Sequence, residues 1–155
     1  MIVTLDEAAQ WAADARAARR SVVLANGAFD LFHVGHLRYL EAAKALADLL
    51  VVAVNSDSSV RAAKGEGRPV VPELERAEIV AGLRCVDRVL IFSEPDVRRV
   101  VRAIRPNVHA KGTDYTAESV PERDVVIECG GRVVIAGDPK AHSTSAILKS
   151  VAQRR

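Results

Sequence analysis

Apolar and polar positions follow two periods along this chain. Short runs rich in Val, Ile, Leu and Ala fall at residues 21–25, 49–54, 88–92, 108–111 and 132–136. Runs of this length and β-branched content read as strands, and 49–54 has the unbroken pattern of a strand buried on both faces of a parallel sheet. Between them the spacing turns helical: Leu37, Leu40, Ala43 and Ala47 share one face over 37–50, and Val97, Val100, Val101 and Ile104 form a second stripe. Ala146, Ile147, Leu148 and Val151 make a third near the C-terminus.

Local chemistry marks where these elements start and stop. Thr4-Leu5-Asp6-Glu7 has the capping-box form and predicts a helix to about Arg19, with Arg16, Arg19 and Arg20 suited to its C-terminal end. Ser56 or Asp57 would cap the helix after the second strand. Pro72 suits a first helical turn, with Glu73 and Glu75 near its positive end. Glu94-Pro95-Asp96 opens the next helix, Gly130 fits the left-handed position ending a helix over 122–129, and Ser143 is a natural N-cap for the last one. Alternating strands and helices predict an α/β, doubly wound, five-stranded parallel sheet with right-handed crossovers, Rossmann-like and in a single domain. Residues 1–20 are expected to form an N-terminal helical extension that packs, covers a sheet edge or meets a second subunit, and residues 21–155 the domain proper.

The turn between the first strand and the helix after it carries the most chemistry. It reads Asn26-Gly27-Ala28-Phe29-Asp30-Leu31-Phe32-His33-Val34-Gly35-His36. In an open α/β sheet such a turn lies at the carboxyl ends of the strands, where ligands bind and a helix N-terminus favours phosphate. His33 and His36 are three residues apart and lie on one side of a first helical turn. Gly27 and Gly35 permit close backbone approach. Two imidazoles there suit hydrogen bonding to a phosphate that gains charge during reaction. The plainer alternatives are half-buried turn residues or two metal ligands, although zinc needs a third ligand and His109 and His142 stand isolated in the sequence.

Further basic and glycine-bearing segments follow. Lys64 to Arg68 reads as a flexible basic loop able to close over phosphates or to remain solvated. Arg76 and Arg84, eight residues apart, would face the same way on one helix. The strand ending at Lys111 leads into Gly112-Thr113-Asp114-Tyr115. Ser143-Thr144-Ser145 offers three successive hydroxyls at a helix start, more than capping requires.

These residues carry a resemblance. The turn from Gly27 to His36 resembles the G-x-F-D-x-x-H-x-G-H signature of the cytidylyltransferase-like nucleotidylyltransferases, which share the HIGH-type motif with class I aminoacyl-tRNA synthetases. Val54-Asn55-Ser56-Asp57, Lys64-Gly65 with Arg68-Pro69-Val70, Val86-Asp87, Lys111 to Tyr115 and Ser143 to Ser145 resemble the branch that adenylylates D-glycero-β-D-manno-heptose 1-phosphate. The resemblance implies strand order 3-2-1-4-5, ATP and a sugar 1-phosphate as substrates, and Mg²⁺ held through nucleotide phosphates with no protein metal site. It implies catalytic roles for His33, His36 and Lys64. It implies nucleotide contacts from Asn26, Gly27, Ala28, Phe29, Gly35, Arg76, Arg84, Ser143, Thr144 and Ser145, and substrate contacts from Asp30, Asn55, Lys111, Gly112 and Asp114. A homodimer is expected. Two positions depart from the usual pattern, Thr113 for a second Gly and Ser145 for a Thr. The near alternatives are a cytidylyltransferase for glycerol 3-phosphate or a similar polyol phosphate and a nucleotide-binding module without turnover.

Composition narrows the field in only a few respects. The 155 residues suit one core, and a net charge of +2 is too small to argue for nucleic acid or an anionic membrane surface. No apolar run approaches the length of a membrane span, the start does not look like a signal peptide, and two cysteines fit a reducing compartment, so a cytoplasmic protein is expected. The absence of G-x-G-x-x-G and G-x-x-x-x-G-K-[ST] patterns argues against a dinucleotide dehydrogenase and a P-loop NTPase.

Overall fold

The structure, a computed structural model, describes residues 1–139 and 141–153. Five parallel strands, β1 (Val22–Gly27), β2 (Leu49–Asn55), β3 (Arg88–Phe92), β4 (Val108–Lys111) and β5 (Arg132–Ile135), form one sheet in the order β3-β2-β1-β4-β5. The expected topology is the observed one. Residues along β1 and β2 point alternately to opposite faces, and both faces are apolar. Val22, Leu24, Leu49, Val51 and Ala53 face one core, while Val23, Ala25, Leu50, Val52 and Val54 face the other.

Helices cover both faces. On the first lie α1 (Leu5–Ala17), α5 (Arg98–Ile104) and α6 (Arg123–Glu128); on the second lie α2 (Val34–Lys44) and α4 (Glu73–Ala81). The remaining helices are α3 (Asp57–Lys64) and α7 (Thr144–Ala152). The reciprocal cap on α1 forms as predicted: Glu7 N–H donates to Thr4 Oγ1 at 3.2 Å and Thr4 N–H to Glu7 Oε2 at 2.7 Å. The helix stops at Ala17, two residues short of the expected end.

α1 is built into the core. Ala8, Ala12 and Ala15 are buried against the sheet and α5, small side chains that let two helices and a sheet approach closely. The segment before α1 also lies along the outer strand. Val3 N–H donates to Val89 O at 2.8 Å and Val89 N–H to Met1 O at 3.0 Å, extending β3 by an isolated parallel bridge at Ile2.

Two helix bounds differ from the sequence-based expectation. α2 begins at Val34 with His33 as its N-cap, so both histidines stand at its first turn as expected, but it ends at Lys44 and not near residue 50. α5 begins at Arg98, since Glu94, Pro95 and Asp96 form a bent lead-in; Asp96 Oδ1 accepts from Arg98 N–H at 3.0 Å.

Removing residues 1–20 would strip Ala8, Ala12 and Ala15 from the core they share with α5, β3 and β1. The truncated chain is expected to lose its cooperative thermal transition, as monitored by circular dichroism. A truncated chain that melted like the full-length protein would make this helix a dispensable appendage.

Candidate active site

The segments that follow β4 and β5, the N-termini of α2 and α7 and the end of α3 enclose a cleft of about 360 Å³. Its walls include His33, His36, Lys64, Gly112, Asp114, Thr144 and Ser145. The cleft sits beside the point where strand order reverses, the expected ligand site of an open α/β sheet.

The two imidazoles are fixed by reciprocal capping. His33 Nδ1 accepts from Gly35 N–H at 3.1 Å, and His36 Nδ1 accepts from His33 N–H at 3.4 Å. With Nδ1 of each ring occupied as an acceptor, the neutral proton resides on Nε2. Both Nε2–H edges are thereby left for the cleft that the rings line. The rings stack with centroids 3.8 Å apart. Burial, then neighbouring His33 and Lys64, push the His36 pKa down to about 4 against a smaller opposing pull from Asp30. Burial and nearby His142 lower that of His33 as well. At neutral pH the pair therefore offers two uncharged donors.

Glycines make this packing possible. A side chain at Gly35 would begin 3.0 Å from the His33 ring, and one at Gly27 would begin 3.2 Å from the Phe29 ring. The protein's own rings pack into the spaces these glycines leave, and Gly35 also lines the cleft. Phe29, expected at the nucleotide, is buried and supports His36 edge-on with centroids 5.4 Å apart.

Other predicted site residues serve as bracing. Asp30, expected on the substrate side, is 1% exposed; its carboxylate accepts from Val70 N–H, Val71 N–H and Arg68 Nε at 2.9–3.1 Å. Burial opposes ionisation of Asp30, but these amides and Arg68 outweigh it and lower its pKa. The Asp30 carbonyl accepts from Thr144 Oγ1 at 2.6 Å, so this hydroxyl turns away from the position expected at a phosphate. Arg76 is likewise 1% exposed: it donates to Val71 O, Asn55 O and Asp57 Oδ1 at 2.8 Å each, and also to Ala28 O.

Arg76 thus holds the backbone of the turn from beneath and does not line the cleft. Arg84 does not share its face, because α4 ends at Ala81 and Arg84 is exposed outside the cleft. Asn55 is occupied by Ser59, to which its Nδ2 donates at 2.9 Å. Asn26 and Lys111 lie behind the cleft wall, with Lys111 Nζ donating to Asn26 Oδ1 at 3.3 Å.

Lys64, Gly112, Asp114 and Ser145 do line the cleft. Lys64 closes the last turn of α3 and does not lie in the loop, which begins at Gly65. Ser143 caps α7 as predicted, accepting from Ala146 N–H at 3.1 Å. The structure adds residues that spacing alone did not reveal. His142 lines the same cleft, its ring centroid 6.4 Å from that of His33, and Arg38 pairs with Asp138 at the rim. His142 lies 106 positions beyond His36 in the chain, so only the fold unites them.

A sheet of this order with an H-x-G-H turn after its first strand defines a nucleotidyltransferase domain. Residues 24–149 match the cytidylyltransferase-like family, and the chain belongs to it. It is 45% identical over 139 residues to the bifunctional protein HldE of Pelobacter propionicus and 46% identical over 136 residues to that of Geobacter metallireducens. These alignments cover 90% and 88% of this chain but 28% of each relative, so the chain spans little more than a quarter of their length. The crystal structure of the lipopolysaccharide core biosynthesis protein from Thermoplasma volcanium superposes with a TM-score of 0.67 at 28% identity, covering 78% of this chain and 99% of that one.

Two outcomes follow from this geometry. Carbon and nitrogen chemical shifts of His36 are expected to report the Nε2–H tautomer at pH 7 and a protonation midpoint near 4. Because the folded pKa lies below the unfolded value, the contribution of His36 to stability is present above about pH 6.5 and is lost as pH falls toward 4. A midpoint near 6.5 would contradict the packing described. Replacing Arg76 by Leu leaves Asp57 and three carbonyls without their donor and is expected to cost about 3 kcal/mol or more in chemical denaturation.

Proposed function

We propose that the chain transfers an adenylyl group from ATP to D-glycero-β-D-manno-heptose 1-phosphate, releasing pyrophosphate and forming ADP-heptose. The observation that carries this reading is the pair of neutral imidazoles locked as Nε2–H donors at the N-terminus of α2, facing the cleft with Lys64 and the start of α7. The match of the Lys111 to Tyr115 segment to the heptose branch and the likeness to a lipopolysaccharide core biosynthesis protein support a sugar phosphate acceptor.

A phosphate oxygen of the acceptor attacks the α-phosphorus, and the bond from that phosphorus to the β-phosphate bridging oxygen breaks. The nucleophile is already ionised near pH 7, so positioning and charge stabilisation carry the rate. His33 and His36 donate to the α-phosphate and leaving group as negative charge shifts onto them. Uncharged donors in a half-buried site need no proton loss or gain during the step. Lys64 and the first-turn amides of α7 hold the outer phosphates. Magnesium would come with the triphosphate, held through the nucleotide phosphates that Lys64 and the first turn of α7 face. It would supply further neutralisation of the phosphates. The reaction is proposed to run in the cytoplasm; among the described residues no helix is long and apolar enough to cross a membrane.

Pyrophosphate release from a panel of ATP and CTP with heptose 1-phosphate and glycerol 3-phosphate tests the assignment. ATP with heptose 1-phosphate should give the highest kcat/KM. Preference for CTP with glycerol 3-phosphate would move the protein to the polyol-phosphate branch. His36→Ala is expected to lower kcat by about 10²- to 10³-fold in a folded protein, the usual loss for one donor to a developing oxyanion. Lys64→Ala should lower kcat with little change in Tm, and Lys64→Arg should retain more activity than the alanine variant.

A further inference from the structure

Behind the cleft wall lies a buried group of ionisable side chains that the reaction above does not use. His109 is fully buried on β4, and its Nε2 lies 2.8 Å from Glu122 Oε1. Lys111 Nζ reaches the same carboxylate oxygen at 2.9 Å, Asn26 Oδ1 at 3.3 Å and the face of Tyr115 at 4.8 Å from the ring centroid. An ionised Glu122 can only accept, so the neutral His109 ring donates through Nε2 and Glu122 accepts from both neighbours.

Burial lowers the His109 pKa against the opposing pull of Glu122, keeping the ring neutral. Burial alone would raise the Glu122 pKa, but the His109 hydrogen bond and the Lys111 ammonium hold it at about 2. The set is therefore one neutral donor and one ion pair.

An apolar filling of the same space would be no less stable in general. What the ions specify is position. Lys111 is the last residue of β4 and Glu122 the N-cap residue of α6, so their contact closes the loop over 112–121 at its base. That loop places Gly112, Thr113 and Asp114 in the cleft. Thr113 Oγ1 also donates to Asp138 O at 3.0 Å, which ties the loop to the opposite rim. Through Asn26 the same ammonium touches the end of β1, from which the histidine turn leaves.

We propose that Glu122, oriented by His109, is a positioning residue that holds Lys111 and thereby sets the 112–114 wall against which the acceptor sugar phosphate binds. This rests on the nucleotidyl transfer reading given above. The nucleotide is bound by groups on α2, α3 and α7, so disturbing Glu122 acts on the acceptor and spares ATP.

Steady-state kinetics with each substrate varied separately, run on Glu122→Gln, His109→Leu and His109→Gln, test this. Glu122→Gln is expected to raise KM for the acceptor tenfold or more, with KM for ATP and kcat within about twofold of the parent. His109→Leu should shift the same constant in the same direction. His109→Gln, whose amide can still donate to Glu122, should restore most of it. Parallel rises in both KM values, or an unchanged acceptor KM in folded variants, would overturn the proposal. If Glu122→Gln fails to fold, the two His109 variants decide by the same criteria.

Hydrogen exchange without substrates separates this idea from the assigned reaction. Faster exchange in Glu122→Gln or His109→Leu confined to 112–121 is expected even if the parent proves to act on another acceptor. Unchanged exchange there would show that the ion pair does not hold the wall.

Discussion

The buried Asp30 carboxylate is the constraint on which the cleft depends. A carboxylate removed from water is tolerated only when its oxygens are fully engaged, and here two backbone amides and an arginine engage them. Those donors come from residues 68–71, at the end of the loop that begins at Gly65, while the carbonyl of the same residue receives the hydroxyl of Thr144 at the start of α7. One residue thus joins the turn after β1, the approach to α4 and the last helix. Arg76 does the complementary work from below, donating to carbonyls of the turn and of β2. The histidines stand on this base, and their geometry is set before any ligand arrives.

Such preorganisation bears on charge as well as position. A solvated imidazole near its ordinary pKa would be partly protonated at neutral pH and would bring a counterion or water that must reorganise. The stacked, half-buried pair avoids this, because burial suppresses protonation while capping fixes the donor edge. Folding stability is the compensating loss, since a neutral ring held in the folded state cannot gain the proton that the unfolded chain binds below about pH 6.5.

The architecture was legible because its signals are local or periodic. The apolar runs of β1 and β2 and the Thr4–Glu7 cap require only neighbouring residues, and they were read correctly. The histidine turn was legible as a motif, with Gly35 marking it, though not the packing of the His33 ring against that glycine. Long-range contacts were not legible. Nothing in spacing distinguishes Arg76, buried under four acceptors, from Arg84 on the surface, because the difference lies in where α4 ends. His109 and Glu122, and likewise His142 and His33, are brought together by β4 and the approach to α7. For Asp30 the motif pointed to the right residue and the wrong task; only the amides of Val70 and Val71 reveal its role as a clamp.

The residues ahead of α1 have a consequence for self-association. A parallel sheet ends in two strands whose outer N–H and C=O groups can template another chain. On the β3 side the outward N–H and C=O of Val89 are engaged by Met1 and Val3. The sheet is therefore left with a single strand, β5, that has no outer strand partner among the described residues. β5 spans only Arg132–Ile135 and begins with an exposed arginine, both features that discourage edge-to-edge pairing. Loss of the N-terminal residues would therefore expose a longer and more apolar edge at Arg88–Phe92, converting a guarded sheet into an adhesive one.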